Sequence, residues 1–190
     1  MREKIIRAIQ DSILVKGDVL KTQAAIIEKA AAAIVNAISS GGKLLVCGNG
    51  GSAADSQHIV AELVGRFKKE RKPMAAVALT TNTSIITAIA NDYGYDVVFE
   101  RQVIALGGPK DVLLGISTSG NSKSVNRAVQ AARSIGMKTI GLTGGSGGEL
   151  GKIVDIPIVV PSKDTPRIQE SHLMIGHILC ELVEDEVCKV

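Results

Sequence analysis

Lys43-Leu44-Leu45-Val46-Cys47-Gly48-Asn49-Gly50-Gly51-Ser52-Ala53 carries an apolar run, a glycine-rich turn and a helix start in one short stretch. So brief an apolar run, closed by glycines, reads as a strand buried on both faces. The pattern recurs downstream, with apolar runs at Ala75 to Leu79, Val112 to Ile116, Lys138 to Leu142 and Ile153 to Val160. Each of the first four runs leads through a Gly-, Ser-, Thr- or Asn-rich turn into a helical stretch. These stretches fall at about 52–66, 83–105, 122–134 and a short piece near 149–152. A last helix over about 167–188 follows Pro161 and Pro166. This alternation predicts an α/β protein with a parallel sheet covered on both faces.

Upstream of the first strand, residues 3–38 carry helical periodicity twice, with Gly17-Asp18 as the joint. Leu20, Ala24, Ile27, Ala31, Ile34 and Ile38 step by four and three, and Ile5, Ile6, Ile9, Ile13 and Leu14 form a second stripe. Together they offer more apolar surface than one sheet face takes, which points to subunit contacts. The 190 residues suit one domain, 1–190, with 1–40 a helical segment for oligomer contacts. Apolar residues at 45% and charged residues at 22% exclude a disordered chain.

Aromatic residues make up 2%, too few for the stacking platforms of single-strand nucleic-acid binders. Twenty-two basic and 19 acidic residues leave a net charge of +3, with no basic stripe for DNA. The one basic run, Lys68-Lys69-Glu70-Arg71-Lys72, reads as a solvated connection. Arg7, Asp11, Lys16 and Asp18 interrupt any signal-like apolar region near the start, and no uncharged apolar run approaches the ~18 residues of a membrane span. A cytoplasmic protein is expected. Cys47, Cys180 and Cys188 lack a Cys-x-x-Cys spacing and read as idle thiols of a reducing compartment.

Three loops at the carboxyl ends of the strands carry chemistry. In the first, Gly48 to Ala53 matches a dinucleotide fingerprint literally, but the next strand ends in Thr80-Thr81-Asn82 rather than an acid for a ribose. Its glycines suit close approach of backbone N–H groups and Asn49 to a small polar ligand, and Ser52-x-x-Asp55 reads as a capping box. The second, Ser117-Thr118-Ser119-Gly120-Asn121-Ser122, concentrates hydroxyls before a helix start, as an anion cradle would. The alternative is a Ser/Thr-rich capping turn. The third, Thr143 to Gly148, reads as flexible connection.

His58 and Glu62 stand four apart on one helix, and Gln169 and His177 eight apart on another. Each pair shares a face, and together they offer two imidazoles, a carboxylate and an amide to one divalent ion. By spacing alone, surface or satisfied core groups are the more usual explanation of such residues. Gly176 beside His177 would admit close approach by another element or a ligand. His172 faces elsewhere and reads as structural, and Cys180 reads as packing.

Gly48 to His58, Thr87-Ala88-Ile89-Ala90-Asn91-Asp92, Gly115 to Ser122 and Arg167-Ile168-Gln169-Glu170-x-His172 resemble the phosphoheptose isomerase family of the sugar isomerase (SIS) fold. The resemblance spans almost the whole chain in order. It implies a three-layer αβα sandwich on a five-stranded, Rossmann-like parallel sheet, and a homotetramer. It also implies conversion of sedoheptulose 7-phosphate to D-glycero-D-manno-heptose 7-phosphate for ADP-heptose and lipopolysaccharide-type surface glycans. Carried over by position, it implies one Zn²⁺ per subunit on His58, Glu62, Gln169 and His177, with Glu62 and His177 catalytic. It puts the sugar phosphate on Asn49, Gly50, Gly51, Ser52, Glu62, Asn91, Asp92, Ser117, Thr118, Ser119, Ser122 and Gln169, with neither nucleic acid nor membrane as partner.

One position departs from the family pattern: Asn82 stands where many relatives carry an acid. Two rival functions are a non-catalytic SIS protein that binds sugar phosphates or a replication initiator, and an NAD-dependent dehydrogenase. Retention of Glu62 and His177 argues against the first, and the missing ribose acid against the second.

Overall fold

The structure, a computed structural model, describes residues 1–189. Five strands, β1 (Leu44–Gly48), β2 (Ala76–Ala78), β3 (Val112–Ser117), β4 (Lys138–Gly144) and β5 (Ile156–Val160), form one sheet in the order β2-β1-β3-β4-β5. Every neighbouring pair is parallel. Among the described residues, seven α-helices connect or flank them: α1 (Arg2–Ser39), α2 (Gly51–Val64), α3 (Thr83–Tyr93), α4 (Val98–Leu106), α5 (Lys123–Ser134), α6 (Leu150–Ile153) and α7 (Thr165–Val187).

Alternation along the strands sorts the core into two layers. Leu44, Val46, Val112, Leu114 and Ile116 face α1, α2 and α7, where Ile27, Ile34, Ile59, Leu63, Ile175 and Leu179 meet them. Leu45, Cys47 and Leu113 face the other way, onto Val98, Phe99 and Val103 of α4 and Val125 and Val129 of α5. The αβα sandwich with a five-stranded parallel sheet is therefore as expected.

Local departures have local causes. The expected helical pair over 3–38 is one continuous helix. Gly17 lies in its interior with open space at its Cβ position, and a single glycine costs a helix only about 1 kcal/mol. Ile5, Ile9, Ile13, Leu14 and Leu20 are all exposed on this helix, whereas Ile27, Ala31 and Ile34 are buried. The expected helix over 83–105 is broken at Gly94, whose φ of +90° ends α3 before a 3-10 turn at Tyr95–Val97. The capping box at Ser52 and Asp55 does not form, because Gly50, with φ +57°, is already the N-cap and Ser52 is buried inside the first turn. Asn82 supplies the N-cap of α3, its Oδ1 accepting from the Ile85 amide at 3.0 Å.

Candidate active site

β1 and β3 lie side by side at the centre of the sheet, and the chain leaves them in opposite directions, to β2 and to β4. In such a sheet the crevice between their carboxyl ends is the natural ligand position. The two loops meet there. Asn49 Nδ2 donates to Ser122 Oγ at 2.7 Å and to Ser124 Oγ at 3.0 Å, while its Oδ1 accepts from the Tyr95 hydroxyl at 2.8 Å. Ser117 is buried, Thr118 and Ser122 are half-buried, and Ser119 is exposed with its Oγ accepting from the Asn121 amide. Asn91 and Asp92 bond to each other at the exposed end of α3. Tyr95 and Ser124 carried no signal in the sequence, because only the fold places them against Asn49.

The third loop is not flexible connection. Gly120 N–H donates to Ser117 O and Gly120 O accepts from the Leu150 amide at 2.8 Å, so the second loop is laid against the third. A Cβ on Gly120 would stand 2.1 Å from Gly147 O.

α2 and α7 pack on the same sheet face and run in the same direction. At their contact a Cβ on Gly176 would come within 2.9 Å of Ile59 Cγ1, so glycine is what permits the approach. His58 and His177, the neighbours of Ile59 and Gly176, are thereby brought together, Nε2 to Nε2, at 2.8 Å. Glu62 Oε1 lies 3.3 Å from His58 Nε2, one helical turn on. Ligand atoms of all three residues lie within 4.8 Å of one another. Two imidazoles and a carboxylate suit a zinc-type ion, so the residues fit a metal here. Gln169, two turns before His177, places its amide against Gly51, where a Cβ would meet Nε2 at 2.4 Å. Phe67, which sequence reading passed over, stacks obliquely on His177 with ring centroids 5.6 Å apart.

Three other titratable groups are buried in the core and structural. Cys47 and Cys180 are buried, and burial pushes both thiols up to about 12, leaving them inert. His172 is fully buried, with Nε2 against Thr143 O at 3.2 Å and Nδ1 without a partner. Burial, only partly opposed by that hydrogen bond, brings its imidazole down to about 4. An unfolded chain takes up this proton below its ordinary value of about 6.5, whereas the folded chain refuses it until about pH 4. The stability due to neutral His172 is therefore complete above pH 6.5 and lost as pH falls toward 4, by up to about 3 kcal/mol. Urea unfolding at pH 7 and pH 4.5 should show that slope, and His172→Gln should flatten it. An unchanged slope in the variant would assign acid lability to other groups.

The SIS domain family matches residues 9–144. Over 189 residues the chain is 52% identical to the phosphoheptose isomerase of Aquifex aeolicus, spanning 100% of this chain and 99% of that one. The chain belongs to the phosphoheptose isomerase family. Its likeness to the phosphoheptose isomerase of a Roseiflexus species is 56% over 180 residues, covering 95% of this chain and 91% of the other. The solved phosphoheptose isomerase of Neisseria gonorrhoeae superposes with a TM-score of 0.92 at 44% identity, over 97% of this chain and 98% of that one. Membership makes this chain a sugar phosphate isomerase. No helix among the described residues is long and apolar enough to cross a membrane.

Proposed function

We propose that this member of the phosphoheptose isomerase family interconverts sedoheptulose 7-phosphate and D-glycero-D-manno-heptose 7-phosphate through an enediol(ate), for ADP-heptose and surface-polysaccharide synthesis in the cytoplasm. The observation that carries this reading is the convergence of Glu62, His58 and His177 where α2 meets α7. Ketose and aldose differ by one proton moved between adjacent carbons and one moved between the two oxygens they carry. Glu62 takes the proton from C1 and returns it at C2, while His177 moves the proton between the two sugar oxygens, so atoms and charge balance.

Ser117, Thr118, Ser119 and Ser122 hold the phosphate at the N-terminus of α5, where free N–H groups and the helix dipole favour an anion. Asn49 adds direction to this cradle. It donates to both Ser122 and Ser124, whose hydroxyls lie 3.3 Å apart, so with Ser124 donating to Ser122 the Ser122 proton turns to a phosphate oxygen. Gly50, Gly51, Ser52, Asn91, Asp92 and Gln169 complete the contacts to the sugar chain. Incubation with sedoheptulose 7-phosphate, followed by product analysis, should yield the aldose; unchanged substrate would reject the assignment.

His58, Glu62 and His177, with Gln169 as a fourth ligand, would hold one Zn²⁺ per subunit. Bound there, the ion supplies Lewis acidity to the sugar carbonyl and the enediolate oxygens. Chelation that strips all metal, verified elementally, should abolish most turnover, and one equivalent of Zn²⁺ per subunit should restore it. Full activity in the stripped protein would remove the metal from the reading.

The exposed isoleucines and leucines of residues 1–20 support a homotetramer in which these helices pack across subunits. Sedimentation equilibrium at micromolar concentration should give four times the chain mass. A fully active monomer is the contrary result.

A further inference from the structure

We infer that Arg71 and Glu184 form a clamp that sets α2 against α7, and so act as positioning residues for Glu62 and His177. The inference rests on the acid–base reading of those two side chains. α2 ends at Val64 with no basic residue in its last turn, so its terminal carbonyls need donors from elsewhere. Arg71 supplies them from beyond the helix. Its Nη2 donates to Glu62 O at 2.8 Å, and its Nη1 donates to Leu63 O at 2.8 Å and Gly65 O at 3.1 Å. Its Nε donates to Glu184 Oε1 at 3.0 Å. The side chains of this ion pair are only 5% and 2% exposed.

Glu184 lies on α7 seven residues beyond His177, two turns along the same face. The backbone carbonyl of the proposed base is thus tied, through one guanidinium, to the helix that carries the proposed acid. The same carboxylate also accepts the amides of Phe67, Lys68 and Lys69 at 3.0, 2.7 and 2.9 Å. Burial opposes the charge on Glu184, but these three amides and Arg71 outweigh it and hold the carboxyl below the usual range. Those amides fix the turn that lays the Phe67 ring on His177. The basic run is therefore only partly the solvated connection expected: Lys68 and Lys69 are exposed and pair with Glu181 and Asp185, but Arg71 is buried at the end of α2.

A lysine carries the same charge at one point and cannot span carbonyls and carboxylate as the planar fork does. Arg71→Lys, measured where circular dichroism shows it fully folded, should lower kcat about 10–100-fold and weaken Zn²⁺ binding by a similar factor. KM should move little, because the clamp touches no part of the phosphate cradle. In metal-free protein, the imidazole NMR signals of His58 and His177 should shift while those of His172 stay. Lys69→Met, which breaks the exposed Lys69–Asp185 pair between the same segments, should change none of these readings. If Arg71→Lys does not fold, Glu184→Asp keeps the charge, shortens its reach and reads the same quantities. A folded variant with wild-type kcat and unmoved His58 and His177 signals would overturn the clamp and leave an ion pair that serves stability alone. If Zn²⁺ leaves these signals unmoved in the wild type, the metal reading fails instead, and the comparison of metal-free proteins still decides the clamp.

Discussion

Glu62→Gln is expected to lower turnover by about 10²–10⁴-fold while sugar phosphate still binds. Glutamine keeps the length of the side chain and an oxygen toward the His58 ring, but it cannot accept the C1 proton. Its placement argues for so specific a loss: Glu62 Oε1 is 3.3 Å from His58 Nε2, and that nitrogen is 2.8 Å from His177 Nε2. The change therefore removes the carboxylate's basicity from the cluster with little change of shape. Turnover assays in D₂O give the matching chemical readout. Wild type should place solvent deuterium at the reacting carbons, as an enediol requires when its proton exchanges, and the variant should not. Wild-type turnover in Glu62→Gln would exclude Glu62 as the base and pass the role to another carboxylate such as Asp92.

Gly120→Ala is expected to destabilise the fold by about 3 kcal/mol. Two effects add. Gly120 has φ +68°, a conformation that costs an L side chain about 1–2 kcal/mol, and the new Cβ would stand 2.1 Å from Gly147 O. Backbone on the facing loop cannot swing aside as a side chain can, so the loop after β3, the proposed phosphate cradle, must separate from the loop after β4. Gly41→Ala is the control, since Gly41, just past the end of α1, has φ +81° with nothing within 4 Å of its Cβ position. Urea denaturation should show the conformational cost alone for Gly41→Ala and the larger loss for Gly120→Ala. Equal losses in the two variants would mean that the two loops are not locked together.

Much of this fold was legible because its signals are short-range. Strands at 44–48, 112–117 and 138–144 lie within one or two residues of the apolar runs that announced them, as glycine-rich turns bound them on the carboxyl side. The reading failed where a local rule had a cheap exception or a distant partner. Gly17 looked like a joint, but a single glycine is tolerated within a long helix. Ser52 looked like a cap, but Gly50 reaches the required backbone geometry two residues earlier. Thr143 to Gly148 looked loose, since nothing local shows that Gly120 and Leu150 hold it.

The sequence by itself determined the α/β class, the strand sites, the hydroxyl-rich loop after β3 and the two helical faces bearing His58 with Glu62 and Gln169 with His177. All of these follow from spacing along one element, where geometry is set by the backbone repeat. Only the tertiary structure decided that the two faces meet, because that depends on the side-by-side packing of α2 and α7 at Ile59 and Gly176. It alone also placed Tyr95 and Ser124 on Asn49, and Arg71 between Glu62 and Glu184. Arg71 and Glu184 are separated by more than a hundred residues of chain. Contacts across such separations leave no periodic trace in a single sequence; they exist only once burial of the two core layers has brought the helices together.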